Sequence, residues 1–113
     1  MDRLFHIVAA GDWARAAHAR DYRPDSLSKQ GFVHCSFADQ VAGTAELHYA
    51  GVAGLVVLEI DAALLDVPVV VEDSAGSGTS FPHVYGPIPV TAVRAVHQLS
   101  ALSGDSDAAS SDP

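Results

Sequence analysis

Apolar residues in this chain come in short bursts broken by polar and turn-forming residues, and that spacing constrains the fold more than any other feature. The longest, such as LVVL at 55–58 and VPVVV at 67–71, fall far short of the ~20 residues that cross a bilayer. They suit short strands, with amphipathic helices between them. A chain of 113 residues built this way closes around one core, which buries roughly two thirds of the unfolded surface. Residues 1–102 therefore read as one domain. From 103 to 113, Gly, Ser, Asp and Ala without periodicity read as a disordered acidic tail.

Along the chain, RLFHIV at 3–8 predicts a strand, and Asp12 is placed to cap a helix over 13–20 that Trp13 anchors on the core. Residues 21–31, with Pro24 and Gly31, read as a long ordered loop. FVHCS at 32–36 predicts a strand, and Ser36 an N-cap for a helix over 37–49. LVVLEI at 55–60 is apolar enough for a central strand, and a turn follows at 61–65. VPVVVE at 67–72 predicts a strand placed at an edge by Pro68, and 73–80 a loop flexible by composition. Two more strands are expected near 83–88 and 93–99. The order implies an α+β fold with a small split sheet, mixed or antiparallel, and two main helices. No glycine-rich phosphate loop follows a strand, which excludes Rossmann and P-loop architectures.

The net charge of −8 argues against a broad nucleic-acid surface. Residues 1–30 hold five of the six basic groups against four acids, so an anionic ligand is expected to meet that third of the chain. The lone cysteine, Cys35, excludes an intrachain disulfide framework and fits a reducing compartment. With no signal-peptide pattern and no bilayer-length apolar run, a cytoplasmic location is expected, without membrane partners.

Chemistry concentrates in three predicted strands. Alternation puts His34 on one face with Phe32 and Ser36, and Val33 and Cys35 on the other. FPHVYG puts His83 and Tyr85 on a shared face, with Pro82, Gly86 and Pro87 fixing the backbone around them. His6 sits mid-strand between Phe5 and Ile7. Each has a plain structural alternative: a hydrogen-bonded core histidine, a helix cap, a packed turn. Zinc could take three such imidazoles, but their spacing is not that of a metal motif, and no metal is expected. Cys35, turned away from His34, reads as a small core hydrophobe. Glu72 ends its strand facing either the cleft or water.

The set LFHI with Trp13, YRPDSL, GFVHCS, Gln40, LEID and FPHVYGPIP resembles the bacterial family catalogued as domain of unknown function 952, over about residues 3–99. That family is similar in fold to the ADP-ribosyltransferases and RNA 2′-phosphotransferases, and FVHCS resembles a VHLS stretch of the latter. The resemblance implies an ADP-ribosyltransferase-like fold with NAD as a possible cofactor. On it, His6, Ser36, Arg23 and Gln40 would bind the cofactor. His34, His83 and Tyr85 would form the catalytic set. His83-Val84-Tyr85 stands where such transferases carry a late carboxylate, a group that stabilises a positively charged sugar. Two readings follow: an NAD-dependent transferase-like enzyme, or a non-catalytic module that binds a nucleotide or other small anion on the same fold.

Overall fold

A computed structural model describes residues 2–99, and the tail expected over 103–113 lies outside the described residues. Eight strands and three α-helices follow one another as β1 (Arg3–Ala9), α1 (Ala10–Ala16), β2 (Asp21–Tyr22), α2 (Asp25–Gln30), β3 (Val33–His34), α3 (Val41–Tyr49), β4 (Leu55–Asp61), β5 (Val69–Glu72), β6 (Phe81–Val84), β7 (Ile88–Pro89) and β8 (Val93–Gln98). The strands form a sheet β1-β4-β8, a sheet β3-β6-β5 and a small ribbon β2-β7. Every pairing among the described residues is antiparallel, so the fold is α+β without the parallel pairs a mixed sheet would need.

Three local expectations are corrected. In place of a loop over 21–31 stand β2 and α2. Pro24, extended at φ −69° and ψ 162°, delivers the chain to α2, and Gly31 at φ 87° ends it with its N–H on the Leu27 carbonyl at 3.0 Å. Proline and glycine act here as helix punctuation, with Asp25 in the first turn and Lys29 in the last matching the helix dipole. Asp12 is not a cap: α1 starts straight from β1, and Asp12 pairs with Arg15 inside the helix. Ser36 is not a cap either. A 3-10 turn at Ala38–Gln40 precedes α3, and the Phe37 N–H donates to Gln40 Oε1 at 2.9 Å.

The β1-β4-β8 sheet has two buried faces because β4, paired on both sides, is apolar at nearly every position. On one face Ile7, Leu55 and Val57 pack under Val41 and Ala45 of α3. On the other, Leu4, Val8, Val56, Leu58 and Ile60 meet Val33, Cys35 and Val84 of the β3-β6-β5 sheet, with Tyr22, Ile88 and Ala92 filling the rim. Among the described residues the two sheets touch through backbone at a single bridge, where Phe5 and Ser36 exchange N–H···O bonds of 2.9 and 2.7 Å. Trp13 packs on Tyr22 edge to face, with ring centroids 6.1 Å apart.

His6 lies on the same core face as Leu4 and Val8, which is a costly place for a polar ring. Both of its nitrogens are satisfied: Nδ1–H donates to the His34 carbonyl at 2.6 Å, and Nε2 accepts from the Tyr22 hydroxyl at 2.7 Å. Burial lowers its pKa from 6.5 to about 4, because desolvation penalises the imidazolium more than the His34 carbonyl favours it. The same desolvation raises the Tyr22 hydroxyl well above its ordinary range. The pair is thus a neutral, fixed-tautomer tie between β1, β2 and β3.

A histidine whose folded pKa is depressed makes the unfolded chain the better proton acceptor. Stability is whole above about pH 6.5 and falls as pH drops toward 4, by roughly 3 kcal/mol, with no further loss from this group below that. Urea denaturation at pH 7 and pH 5 should show this loss, and His6→Gln should flatten it while costing about 1–3 kcal/mol at pH 7 from the disrupted bonds. Equal pH slopes in both proteins would refute the assignment. Cys35, 4% exposed and with its thiol pushed up to about 12 by burial, should resist thiol reagents until the protein unfolds. Cys35→Ser should cost about 1–3 kcal/mol through its buried hydroxyl.

Candidate functional site

The face of β3-β6-β5 turned away from the core brings together His34 and His83. His34 is the Cα partner of His83, and His83 that of Val70, so these side chains share a face. Two-residue alternation adds Phe32, Tyr85 and Glu72 to it. His83 stacks on Phe32, with centroids 4.0 Å apart and ring planes 15° from parallel. The His34 ring meets His83 edge-on at 5.4 Å, and Tyr85 tilts toward Phe32 at 5.3 Å. His83 is buried, Tyr85 and His34 are exposed, and Glu72 stands between.

Hydrogen bonds fix the protons of this cluster. His83 Nδ1–H donates to Glu72 Oε2 at 2.8 Å, and the Tyr85 hydroxyl donates to the same oxygen. Those two donors, Tyr85 first and His83 second, hold the Glu72 carboxyl below its usual range, and the carboxylate in turn raises the Tyr85 hydroxyl. His34 Nε2–H donates to Gln30 Oε1 at 2.6 Å, a contact made possible by α2 ending just before β3. Partial burial, then the neighbouring His83 and His48, depress the His34 pKa. A carboxylate–imidazole pair of this kind orients the ring, presents its second nitrogen as a base and stabilises the imidazolium that forms.

The sequence-derived site residues therefore divide. His34, His83 and Tyr85 come together. His6 is adjacent through the His34 carbonyl, but its ring is turned inward to Tyr22. The hydroxyl of buried Ser36 faces Thr44 at 3.3 Å, and Gln40 bridges the Phe37 N–H and, from Nε2, the Ser80 carbonyl at 2.9 Å. Arg23 is exposed and pairs with Asp21 at 3.4 Å. Arg3 pairs with Glu59 and Asp61 at the end of β4, so neither of these arginines is held toward the cluster. Glu72, Phe32 and Gln30 complete the cluster. Alternation alone places Phe32 beside His34, and Glu72 could have been found once the β5–β6 hairpin register was known, whereas Gln30 depends on α2, which composition disguised as loop.

Two depressions of about 560 and 550 Å³ lie elsewhere, one between α3 and the end of β8, the other beside β2 and β7. Neither is lined by a histidine or cysteine, so neither rivals the sheet face for chemistry. Among the described residues no three His, Cys, Asp or Glu side chains stand together as a metal site. No described helix is long and apolar enough to cross a membrane. For NAD, the cofactor the resemblance implies, Phe32 and Tyr85 offer aromatic faces, but Arg23 is engaged with Asp21 and both His6 nitrogens are occupied. As held, these side chains do not fit the dinucleotide.

No curated protein matches the chain. Among solved structures it is similar to the crystal structure of protein CC0527 from Caulobacter crescentus, at 29% identity and a TM-score of 0.73, covering 83% of this chain and 82% of that one. The solution NMR structure of CC0527 matches at 28% identity and a TM-score of 0.74, over 97% and 98% of the two chains. The family described as protein of unknown function (DUF952) matches residues 7–96, which take in β4, the His6–Tyr22–His34 segments short of His6 itself, and the whole histidine face. On that match the chain belongs to the DUF952 family.

Proposed function

We propose that the open face of β3-β6-β5 is the active site of a transferase-like enzyme that breaks a glycosidic bond in a nucleoside-like substrate. The observation that carries the reading is Glu72, whose carboxylate accepts from both His83 and Tyr85 on a face lined by Phe32. This supplies the carboxylate that the sequence pattern lacks at 83–85. The likeness of FVHCS and LFHI to strands of the ADP-ribosyltransferases and RNA 2′-phosphotransferases lends further support, as does the division of the strands into two sheets.

In this reading the aromatic rings seat the base, and the C–N bond breaks with its electron pair leaving on that base. A water or acceptor hydroxyl adds to the sugar carbon and gives its proton to His83 Nε2. Glu72 stabilises the resulting imidazolium and, through its charge, the cationic sugar. His34, with its Nε2 proton committed to Gln30, keeps Nδ1 as an acceptor toward the substrate.

The near-complete burial of His83, 3% exposed, favours a second reading in which the same face recognises a ligand without converting it. Free-base release from a panel of nucleosides, with NAD as a comparison, separates the two. Turnover is expected to fall by at least about a hundredfold in His83→Ala, the scale of lost acid–base catalysis, and comparably in Glu72→Gln, with circular dichroism unchanged. Ligand-dependent thermal shifts without base release would instead identify a recognition module.

A further inference from the structure

We infer that the histidine face selects a planar, hydrogen-bond-donating, positively charged group, such as an amidinium, a guanidinium or a protonated amino-heterocycle, and rejects phosphate. This rests on the glycosidic reading only in placing the substrate on this face: it adds that the base is cationic and rich in donors and that the substrate carries no phosphate.

The ring protons of the cluster are spent within it. His83 spends its Nδ1 proton on Glu72, so Nε2 is a bare acceptor, and among the described residues nothing hydrogen-bonds it although the side chain is only 3% exposed. A buried polar atom without a partner is costly, and a donor from a ligand, or from the attacking water or hydroxyl of the glycosidic reading, would satisfy it. His34 spends its Nε2 proton on Gln30, which leaves Nδ1 as a second acceptor on the same face. Glu72 adds a full negative charge, and its exposed part can take a further donor. Exposed Tyr85 adds a ring that attracts cations, with buried Phe32 behind it at 5.3 Å.

Among the described residues no lysine or arginine forms an ion pair with Glu72, whose salt-bridge partner is His83 alone. Arg23 is held by Asp21, and Arg3 by Glu59 and Asp61. An anion would meet a carboxylate and two lone pairs, whereas a flat cation with two or three N–H groups meets complementary partners throughout. A cation at this site runs opposite to the anionic ligand expected from the basic N-terminal third of the chain.

The test uses the full chain with an isosteric pair of probes, benzamidinium and benzoate, alongside inorganic phosphate, followed by NMR titration of the His34 and His83 ring protons. Benzamidinium should bind at least about tenfold more tightly than benzoate, and Glu72→Gln, close in shape to the native side chain, should weaken it by about fivefold or more without moving distant resonances. Equal or tighter binding of benzoate or phosphate, no binding of benzamidinium, or indifference to Glu72→Gln would each overturn the inference. Base release that depends on His83 but shows no preference for cations sinks this inference and leaves the enzyme standing; a preference for cations without turnover does the reverse.

Discussion

The organisation of this protein hangs on one buried ring. His6 takes the Tyr22 hydroxyl on one nitrogen and gives a proton to the His34 carbonyl with the other, in the seam between two sheets. A hydrophobic residue there would fill the space but leave the carbonyl and hydroxyl without partners, each at a cost of about 1–3 kcal/mol. Because the bond is made to the backbone of His34, the same ring that closes the core sets the position of the strand carrying the exposed imidazole. Structure and site are linked by a contact that takes no direct part in chemistry.

The outer face of β3-β6-β5 reverses that economy of satisfied groups. Its donors are consumed internally, by Glu72 and Gln30, which leaves the second ring nitrogens of His83 and His34 as acceptors. Support for the arrangement comes from both sides. Gln40 ties the start of α3 to Ser80, just before β6. Across the hairpin, Asp73 accepts the Ser77 and Gly78 N–H groups and anchors the loop after β5, next to Glu72. Gly86 lets the chain after Tyr85 pass against Val67, where an added Cβ would fall 2.4 Å from the valine methyl. The site is built on strands whose loops are pinned, which is how a rigid constellation is held.

Much of this was legible in the sequence, and the limits have physical causes. LVVLEI could only be a central strand, because no other element tolerates so many apolar positions on both faces. FVHCS and FPHVYG announced a shared polar face through simple alternation. The direction of the His6 ring was hidden, since alternation assigns a residue to a face but cannot say whether that face meets water or another sheet. Likewise α2 was masked by Pro24 and Gly31, which mark loops and helix ends alike. Charge counted along the chain could not show that Arg3, Arg15 and Arg23 are each paired with a nearby carboxylate.

The single Phe5–Ser36 bridge between the sheets bears on how such a chain can diverge. Insertions in the turn before β4 or at the tip of the β5–β6 hairpin lengthen one sheet without touching the other. A one-residue slip at position 5 or 36 would instead flip every neighbouring side chain, sending His6 under α3 and Cys35 onto the open face of β3-β6-β5. Relatives of this fold can therefore vary freely in loop length while keeping those two positions in step.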